Sequence, residues 1–371
     1  MVMQFTIERD ALLKPLQMVS GAIERRHTLP ILSNVLIEAR EDGQLILTGT
    51  DLEIELVAMS PIQQLISPGR ITVPAKKILD ICRSLPDTSL LSVTVQGDNC
   101  VVSTGKSKFT LSTLSANDYP NLESWQGEVD LQLPRNQLRH LLDDTAFSMA
   151  NQDVRYYLNG LLFEVDNGTL RSVATDGHRL AMSSIELAAT AGHQKQIIIP
   201  RKGVLEVMRL LIADDQLVTL SLGQNHIRLT DTQFSFSCKL IDGRFPDYRR
   251  VLPRNSTKLV TAHRDVLKDS CVRASILSNE KYRGVRFTLS SGELQIVANN
   301  PEHEQAEESI EVEYQGDTLE IGFNVGYLLD VLNTLSTDLV VLHLSDGNSS
   351  ALIEGVAGKS GAMYVVMPMR L

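Results

Sequence analysis

The sequence repeats one pattern three times, and this repeat limits the fold more than any other feature does. Segments beginning at Asn34, Asn159 and Arg283 each contain two alternating apolar runs separated by a turn of the form x-Gly-x-Leu. Alternation with a period of two on both sides of a glycine turn predicts a β-hairpin. The turn glycines lie 125 and 124 residues apart, and the glycines of a later hairpin lie 126 and 124 apart. The two sets are Gly43, Gly168 and Gly292, and Gly97, Gly223 and Gly347.

Each copy of the pattern also contains two segments with helical periodicity, one before the hairpin and one after a short strand. The later segments open at Pro74, Pro200 and Asn324, and proline is tolerated in the first turn of a helix. Alternating antiparallel strands are buried on one face only, so the helices are expected on one side of the sheets. We therefore predict an α+β protein with three tandem domains. The expected domains are 1–127, 128–256 and 257–371, with helices at 10–23, 74–85, 134–149, 200–211, 263–276 and 324–335.

Composition excludes several classes of protein. The chain has 371 residues, of which 43% are hydrophobic, so it can bury substantial cores and is not intrinsically disordered. No apolar run is long enough to cross a bilayer, and the first residues do not resemble a signal peptide. The four cysteines show no C-x-x-C spacing, which argues against a disulfide framework or a zinc site. We expect a cytoplasmic protein with no membrane association, no cofactor and no metal.

The net charge of −10 argues against simple electrostatic binding to nucleic acid. Its distribution is uneven, because the six helical segments contain 12 Lys or Arg and 8 Asp or Glu. A basic helical surface would suit DNA, but ordinary solvated helix faces explain the same count.

The two ends of the chain are complementary in charge. Six glutamates lie between Glu302 and Glu313, whereas Lys106 and Lys108 flank an apolar strand in the first repeat. Complementary ends favour head-to-tail association, which closes into a ring if the rotation permits it. An acidic edge that prevents aggregation of strands is the equally simple alternative.

Motifs of catalysis are not evident. The chain lacks the P-loop, G-x-G-x-x-G and G-x-S-x-G patterns. Asp176 and His178, in the sequence TDGH, could form an acid–base pair, but Asp-Gly is typical of a turn. The segment NQDVRYYL could stack on or contact nucleic acid, or could enter a strand with core tyrosines. The C-terminal segment MYVVMPMRL is apolar, which indicates that this tail packs against the protein. A simple final strand is the alternative, but it would account for the first half of the segment and not for Pro368–Leu371.

Several longer segments are similar to one known family, in the same order along the entire chain. The sequence resembles the bacterial DNA polymerase sliding clamp, the β subunit of the replicative polymerase. The segments are TLPILSN, GTDLEIE, QDVRYYLNG, ATDGHRLA, DGRFPDYRRVLP, SNEKYRGVR, IGFNVGYLLDVL and YVVMPMRL.

The resemblance implies a head-to-tail homodimer whose six domains form a ring around double-stranded DNA, with the helices lining the hole. Such a protein is not an enzyme but a processivity subunit that tethers the polymerase to DNA. A topological link needs little electrostatic affinity, so an acidic chain can perform this role. The DNA contacts of the family correspond here to Arg26, Lys76, Gln152, Tyr156 and Tyr157, where Lys76 replaces a frequent arginine.

The resemblance also implies a cleft between the second and third domains that binds short peptide motifs. The partners implied are the polymerase catalytic subunit, clamp-loader subunits, translesion and repair polymerases, and mismatch-repair and ligase proteins. TDGH would then form a wall of a peptide pocket. The cleft corresponds to Leu158, Thr175, Gly177, His178, Arg179, Leu180, Pro246, Arg250, Val251, Asn324, Tyr327, Val365, Val366, Met367, Pro368, Met369, Arg370 and Leu371.

The dimer interface implied by the resemblance joins the first domain of one chain to the third domain of the other. Its apolar part corresponds to Phe109 and Leu111 against Ile276 and Leu277. Its charged part corresponds to Lys77, Lys106 and Lys108 against Glu302, Glu304 and Glu308.

Two other functions stay open at this point. A DNA-processing hydrolase would use Asp176 and His178, and a repeat scaffold would have no role on DNA. The basic bias of the helices argues against the scaffold. A clamp would reside in the cytoplasm in association with the nucleoid.

Overall fold

Six α-helices occur in the described part of the chain, two in each repeat, as the periodicity predicted. The second helix begins one residue after Pro74, because Pro74 is still paired with Asn34 in the preceding strand. The first helix ends at Val19 and not near residue 23, because Ser20–Ala22 tighten into a 3₁₀ turn. In this computed structural model the described residues are 3–24, 29–120, 125–187, 194–212, 214–254, 256–356 and 361–370. The helices are α1 (Arg9–Val19), α2 (Ala75–Ser84), α3 (Arg135–Thr145), α4 (Arg201–Leu210), α5 (Arg264–Ser275) and α6 (Val325–Thr334).

The strands follow the repeat, and the described residues contain nine in the first copy and eight in each of the others. The first copy contains β1 (Gln4–Glu8), β2 (Asn34–Ala39), β3 (Gln44–Thr50), β4 (Ile54–Pro61), β5 (Gln64–Ser67), β6 (Gly69–Pro74), β7 (Leu90–Gln96), β8 (Asn99–Thr104) and β9 (Ser107–Ser112). The second contains β10 (Val129–Pro134), β11 (Gly160–Asp166), β12 (Thr169–Thr175), β13 (Arg179–Glu186), β14 (Gln194–Pro200), β15 (Leu217–Leu222), β16 (His226–Thr230) and β17 (Phe234–Lys239). The third contains β18 (Lys258–His263), β19 (Gly284–Ser290), β20 (Glu293–Asn299), β21 (Gln305–Glu311), β22 (Leu319–Asn324), β23 (Leu339–Leu344), β24 (Ala351–Gly355) and β25 (Met363–Val366).

The predicted hairpins are confirmed in all three repeats. Strands β2 and β3, β11 and β12, and β19 and β20 pair antiparallel around the three turn glycines. In the second repeat Asn167 and Gly168 both have positive φ, of 46° and 87°. Two such residues form the type I′ turn, whose twist matches that of the strands it joins.

One compact unit comprises Met1–Arg135 and Leu205–Leu240. It contains a five-stranded sheet in the order β5-β1-β7-β8-β9 and an eight-stranded sheet in the order β10-β15-β16-β17-β4-β3-β2-β6. The larger sheet joins two repeats, because β17 pairs with β4 and places Phe236 opposite Leu56.

The other unit comprises Asn136–Val204 and Ile241–Leu371. It contains an eight-stranded sheet in the order β14-β11-β12-β13-β25-β24-β23-β18 and a four-stranded sheet in the order β21-β20-β19-β22. Here the last strand of the chain, β25, pairs with β13 and places Val365 opposite Leu180. The two units divide the second repeat, so the domain boundaries at 127/128 and 256/257 stay a prediction.

Two buried tyrosines offer a direct comparison of hydroxyl groups. Tyr364 is 1% exposed, and its hydroxyl has no hydrogen-bond partner among the described residues. Tyr119 is 4% exposed, but its hydroxyl donates to the Thr48 carbonyl at 3.1 Å. A buried hydroxyl without a partner is destabilising, whereas a satisfied one contributes about 1 kcal/mol.

We therefore expect Tyr364→Phe to leave the free energy of unfolding unchanged or higher, and Tyr119→Phe to lower it by about 1 kcal/mol. Urea-induced unfolding of both variants measures the difference. A larger loss in Tyr364→Phe than in Tyr119→Phe would contradict this account.

Candidate functional site

The TDGH segment is the turn between β12 and β13, as Asp-Gly predicted. The Asp176 carboxylate accepts hydrogen bonds from the backbone N–H groups of His178 at 2.9 Å and Arg179 at 3.0 Å. Gly177 has a φ of +88°, and a Cβ there would lie 2.7 Å from the Arg155 guanidinium. Because Asp176 is committed to the turn, the geometry does not favour an Asp176–His178 catalytic pair.

Arg179 connects this turn to the third repeat. Its guanidinium pairs with Asp176 at 3.1 Å and with Asp330 on α6, and it donates to the Phe147 carbonyl at 2.8 Å. It also lies over the Tyr327 ring, 4.6 Å from the centroid. These contacts hold Arg179 in one position, so it forms a fixed wall.

Asn324 fixes the start of α6 on the same side. Its side-chain oxygen accepts from the N–H groups of Gly326 at 2.8 Å and Tyr327 at 3.3 Å, which is the geometry of an N-cap. Tyr327 stacks beside His178, with ring centroids 6.5 Å apart. Asn324 therefore contributes to the site by orienting Tyr327.

A pocket of about 230 Å³ lies beside the TDGH turn. Its floor belongs to a buried apolar cluster that includes Leu180, Phe245, Tyr248 and Val365. The walls come from the turn, from the segments around residues 155–158 and 245–251, and from the C-terminal tail. Nine predicted cleft residues line it: Leu158, Thr175, Gly177, Arg179, Leu180, Pro246, Val251, Val365 and Met367.

Four further residues line the pocket that sequence reasoning did not assign to it: Arg155, Tyr157, Phe245 and Tyr248. Tyr157 was predicted to contact DNA, which stays a prediction, and its half-buried side chain also lines the pocket. Arg155 is held in place by Asp153, at 3.0 and 2.9 Å, and donates to the Asp176 carbonyl. Phe245 and Tyr248 lie in the segment DGRFPDYRRVLP. Its aromatic residues and prolines were the sequence feature that could have assigned them to the pocket.

The remaining predicted cleft residues lie outside this lining. Val366 is fully buried, so its side chain offers no surface to a partner, and its place in the cleft stays a prediction. Met369 is attached to the third repeat, since its N–H donates to the Gly322 carbonyl at 2.8 Å. Leu371 lies outside the described residues. The other predicted cleft residues outside the pocket lining are His178, Arg250, Asn324, Tyr327, Pro368 and Arg370.

Three of the predicted DNA contacts, Lys76, Gln152 and Tyr156, are surface residues. Lys76 is exposed on α2. Gln152 is exposed with a positive φ of 56°, and Tyr156 is 57% exposed. Arg26 lies outside the described residues.

Four of the predicted dimer residues, Lys108, Phe109, Leu111 and Glu308, lie on strands at the edges of two sheets. Strand β9, with Phe109 and Leu111, is the last strand of its sheet, and β21, with Glu308, is the last strand of another. Ile276 is 74% exposed, whereas Leu111 is 6% exposed and belongs to the core of its own domain. Lys77, Lys106, Lys108, Glu302 and Glu304 are exposed, and Leu277 is half-buried.

Glu308 already has a partner within the chain. The Arg273 guanidinium donates to both of its carboxylate oxygens, at 2.9 and 2.5 Å. These hydrogen bonds hold the pKa of Glu308 below its ordinary value. Its charge is therefore partly compensated before any second copy approaches.

In the part of the chain that the structure describes, no cluster of three or more His, Cys, Asp or Glu side chains could hold a metal. All four cysteines are buried and free, and burial raises the pKa of Cys100 to about 11. None of the described helices has the length and apolar character that crossing a membrane requires.

Comparison with known proteins assigns each repeat to a domain of one family. Residues 3–123, 132–247 and 249–370 match the N-terminal, central and C-terminal domains of the DNA polymerase III beta subunit. Beta sliding clamps of Pseudomonas aeruginosa, Vibrio cholerae and Escherichia coli are 56%, 54% and 53% identical, over the whole of both chains.

Solved structures lead to the same family. The crystal structure of the Pseudomonas aeruginosa DNA polymerase III subunit beta superposes with a TM-score of 0.97 at 55% identity, covering both chains completely. The structure of that clamp bound to griselimycin gives the same values. The hydrolase interpretation has no support among these relatives. The chain thus belongs to the DNA polymerase III beta subunit family, the beta sliding clamps, which are non-catalytic processivity factors of that polymerase.

Proposed function

We propose that two copies of this chain form a closed ring that encircles duplex DNA and tethers the replicative polymerase to it. The observation that carries this proposal is the similarity to beta sliding clamps across all three repeats. The processivity of the polymerase would then come from a topological link rather than from catalysis or tight binding.

The charge distribution supports helices that face the DNA. Within their observed bounds, the six helices carry 13 Lys or Arg and 8 Asp or Glu, although the whole chain has a net charge of −10. A mildly basic lining attracts the phosphates, while an acidic exterior discourages other binding. The proposed contacts are Lys76, Gln152, Tyr156, the half-buried Tyr157 and, outside the described residues, Arg26.

The edge strands β9 and β21 support a head-to-tail dimer. Among the described strands, β9 and β21 each have a neighbour on one side only, so a second copy could pair them into a continuous sheet. Ile276 and Phe109 would supply the apolar contact, and Lys106 and Lys108 would face Glu302 and Glu304. Leu111 and Glu308 would contribute less, because one is buried and the other is paired with Arg273.

This interface predicts that Ile276→Lys with Leu277→Lys yields a folded monomer, since two charges would replace the apolar centre of the contact. Native mass spectrometry reports the mass. Ile66→Lys, at another exposed apolar position, serves as the control and should remain dimeric. A dimeric double variant would show that the interface lies elsewhere.

The pocket beside the TDGH turn is the proposed docking site for partner proteins. An apolar floor with fixed polar walls suits short peptides whose Leu and Phe side chains act as anchors. Polymerase is the partner implied by the family. Clamp-loader subunits, translesion and repair polymerases, and mismatch-repair and ligase proteins are proposed to share the pocket. We also propose that griselimycin binds there, as it binds the Pseudomonas aeruginosa clamp.

Deletion of Met367–Leu371 should abolish binding of such a peptide, because Met367 lines the pocket, while β25 remains intact. Fluorescence anisotropy with a labelled peptide measures the affinity, and native mass and thermal unfolding should change little. Unchanged affinity in the truncated protein would contradict the assignment.

Retention on DNA should depend on topology. A binder that neutralises several phosphates loses affinity by on the order of 10³–10⁵ between about 50 and 200 mM salt. Rings loaded on nicked circular duplex should instead survive high salt and leave when the circle is cut. Gln152→Ala should weaken transient contacts without changing this retention. Equal, steeply salt-dependent loss from circular and linear DNA would refute encirclement. We also propose that the protein acts in the cytoplasm, in association with the nucleoid.

A further inference from the structure

One buried carboxylate outside the pocket receives hydrogen bonds from three separate parts of the chain. Glu164 on β11 is 3% exposed. It accepts from Arg171 on β12 at 3.0 Å and from Gln196 on β14. It also accepts from the Tyr248 hydroxyl at 2.8 Å and from Arg249 at 2.6 Å, both in the segment that connects β17 to β18.

That connecting segment forms one wall of the pocket. Its regular structure between residues 242 and 254 is a single 3₁₀ turn, Tyr248–Arg250. The Tyr248 ring and Phe245 line the pocket, while the Tyr248 hydroxyl reaches Glu164. One side chain thus contacts the pocket with its ring and the sheet with its hydroxyl.

Among the described residues, the backbone hydrogen bond that anchors this wall to the sheet lies at its start. The Ile241 N–H donates to the Ile198 carbonyl at 2.9 Å, on β14. Further along, Arg250 and Val251 donate to Asp247 and Tyr248 within the segment itself. For the described residues 242–254, the hydrogen bonds to the sheet are those that end on Glu164. Its conformation therefore depends on one carboxylate, together with apolar packing.

The charge of Glu164 is stabilised in place. Burial alone raises the pKa of a carboxyl group, but hydrogen bonds from Tyr248, Gln196 and Arg171, with the charge of Arg249, lower the pKa of Glu164 below its ordinary value. The acceptor is accordingly ionised at neutral pH, where hydrogen bonds to a charged group are the strong ones.

We propose that Glu164 is a positioning residue for partner binding, whose carboxylate holds Tyr248 and Arg249 so that the pocket wall is formed before a peptide arrives. This inference rests on the proposed function of the pocket. A wall that is ordered before the peptide binds raises the affinity, because the binding free energy is then not reduced by the entropy cost of ordering the wall. Glu164 acts without touching the peptide.

Tyr248→Phe tests the inference most directly, since it keeps the ring in the pocket and removes only the hydroxyl that reaches Glu164. Glu164→Gln keeps the shape and removes the charge. With a labelled short peptide carrying Leu and Phe anchors, we expect each variant of the full chain to raise the Kd about tenfold, which corresponds to about 1.4 kcal/mol. The double variant should lose no more than the worse single one, because both changes break one anchor. Hydrogen exchange at residues 245–251 of the free protein should become faster.

Tyr119→Phe is the matched control, because it removes one buried tyrosine hydroxyl hydrogen bond in the other compact unit. It should lower thermal stability and leave the Kd unchanged. Should Glu164→Gln fail to fold, Tyr248→Phe decides alone. Unchanged Kd in Tyr248→Phe, with the wild type binding normally, would overturn the positioning role and leave the pocket assignment intact. A wild type that binds no peptide would overturn both.

Discussion

Pairing of strands between repeats is the constraint on which the rest of the structure depends. Strand β25, at the end of the chain, joins β13 of the second repeat, with Val365 opposite Leu180 and Val366 opposite Arg179. This register places the tail beside the TDGH turn, where Met367 donates to the His178 carbonyl at 3.0 Å. Since a shift of one residue would turn every side chain to the opposite face, the pocket exists only in this register.

The pocket combines an apolar floor with walls whose side chains are fixed by ion pairs and hydrogen bonds to charged groups. Arg179 is fixed by Asp176 and Asp330 on one side, and Tyr248 is fixed by Glu164 on the other. Buried charges are tolerated only when their hydrogen bonds are satisfied, and both centres meet this condition. The arrangement leaves hydrophobic surface available for a partner while the charged atoms bond to the protein itself.

An acidic chain can act on DNA when the attachment is topological. Basic residues are concentrated in the helices, and the acidic residues of β21 lie at a sheet edge, where they discourage uncontrolled strand pairing. In the proposed dimer, the same edge would face the basic strand β9 of the other copy. Charge would thus contribute to the choice of partner and to the approach to DNA more than to affinity.

Local patterns in the sequence determined the helices, the hairpins and the Asp-Gly turn, because periodicity and turn chemistry act over a few residues. Segment similarity identified the family and nine residues of the pocket lining. The burial of Val366 and Leu111, the Arg273–Glu308 pair and the position of Tyr157 were decided by the tertiary structure. A period of two assigns a side chain to a face of its strand, but not the sheet in which that strand pairs. Tertiary pairing of β4 with β17 and of β13 with β25 made that choice, since it joins segments more than 170 residues apart through contacts that no local pattern encodes.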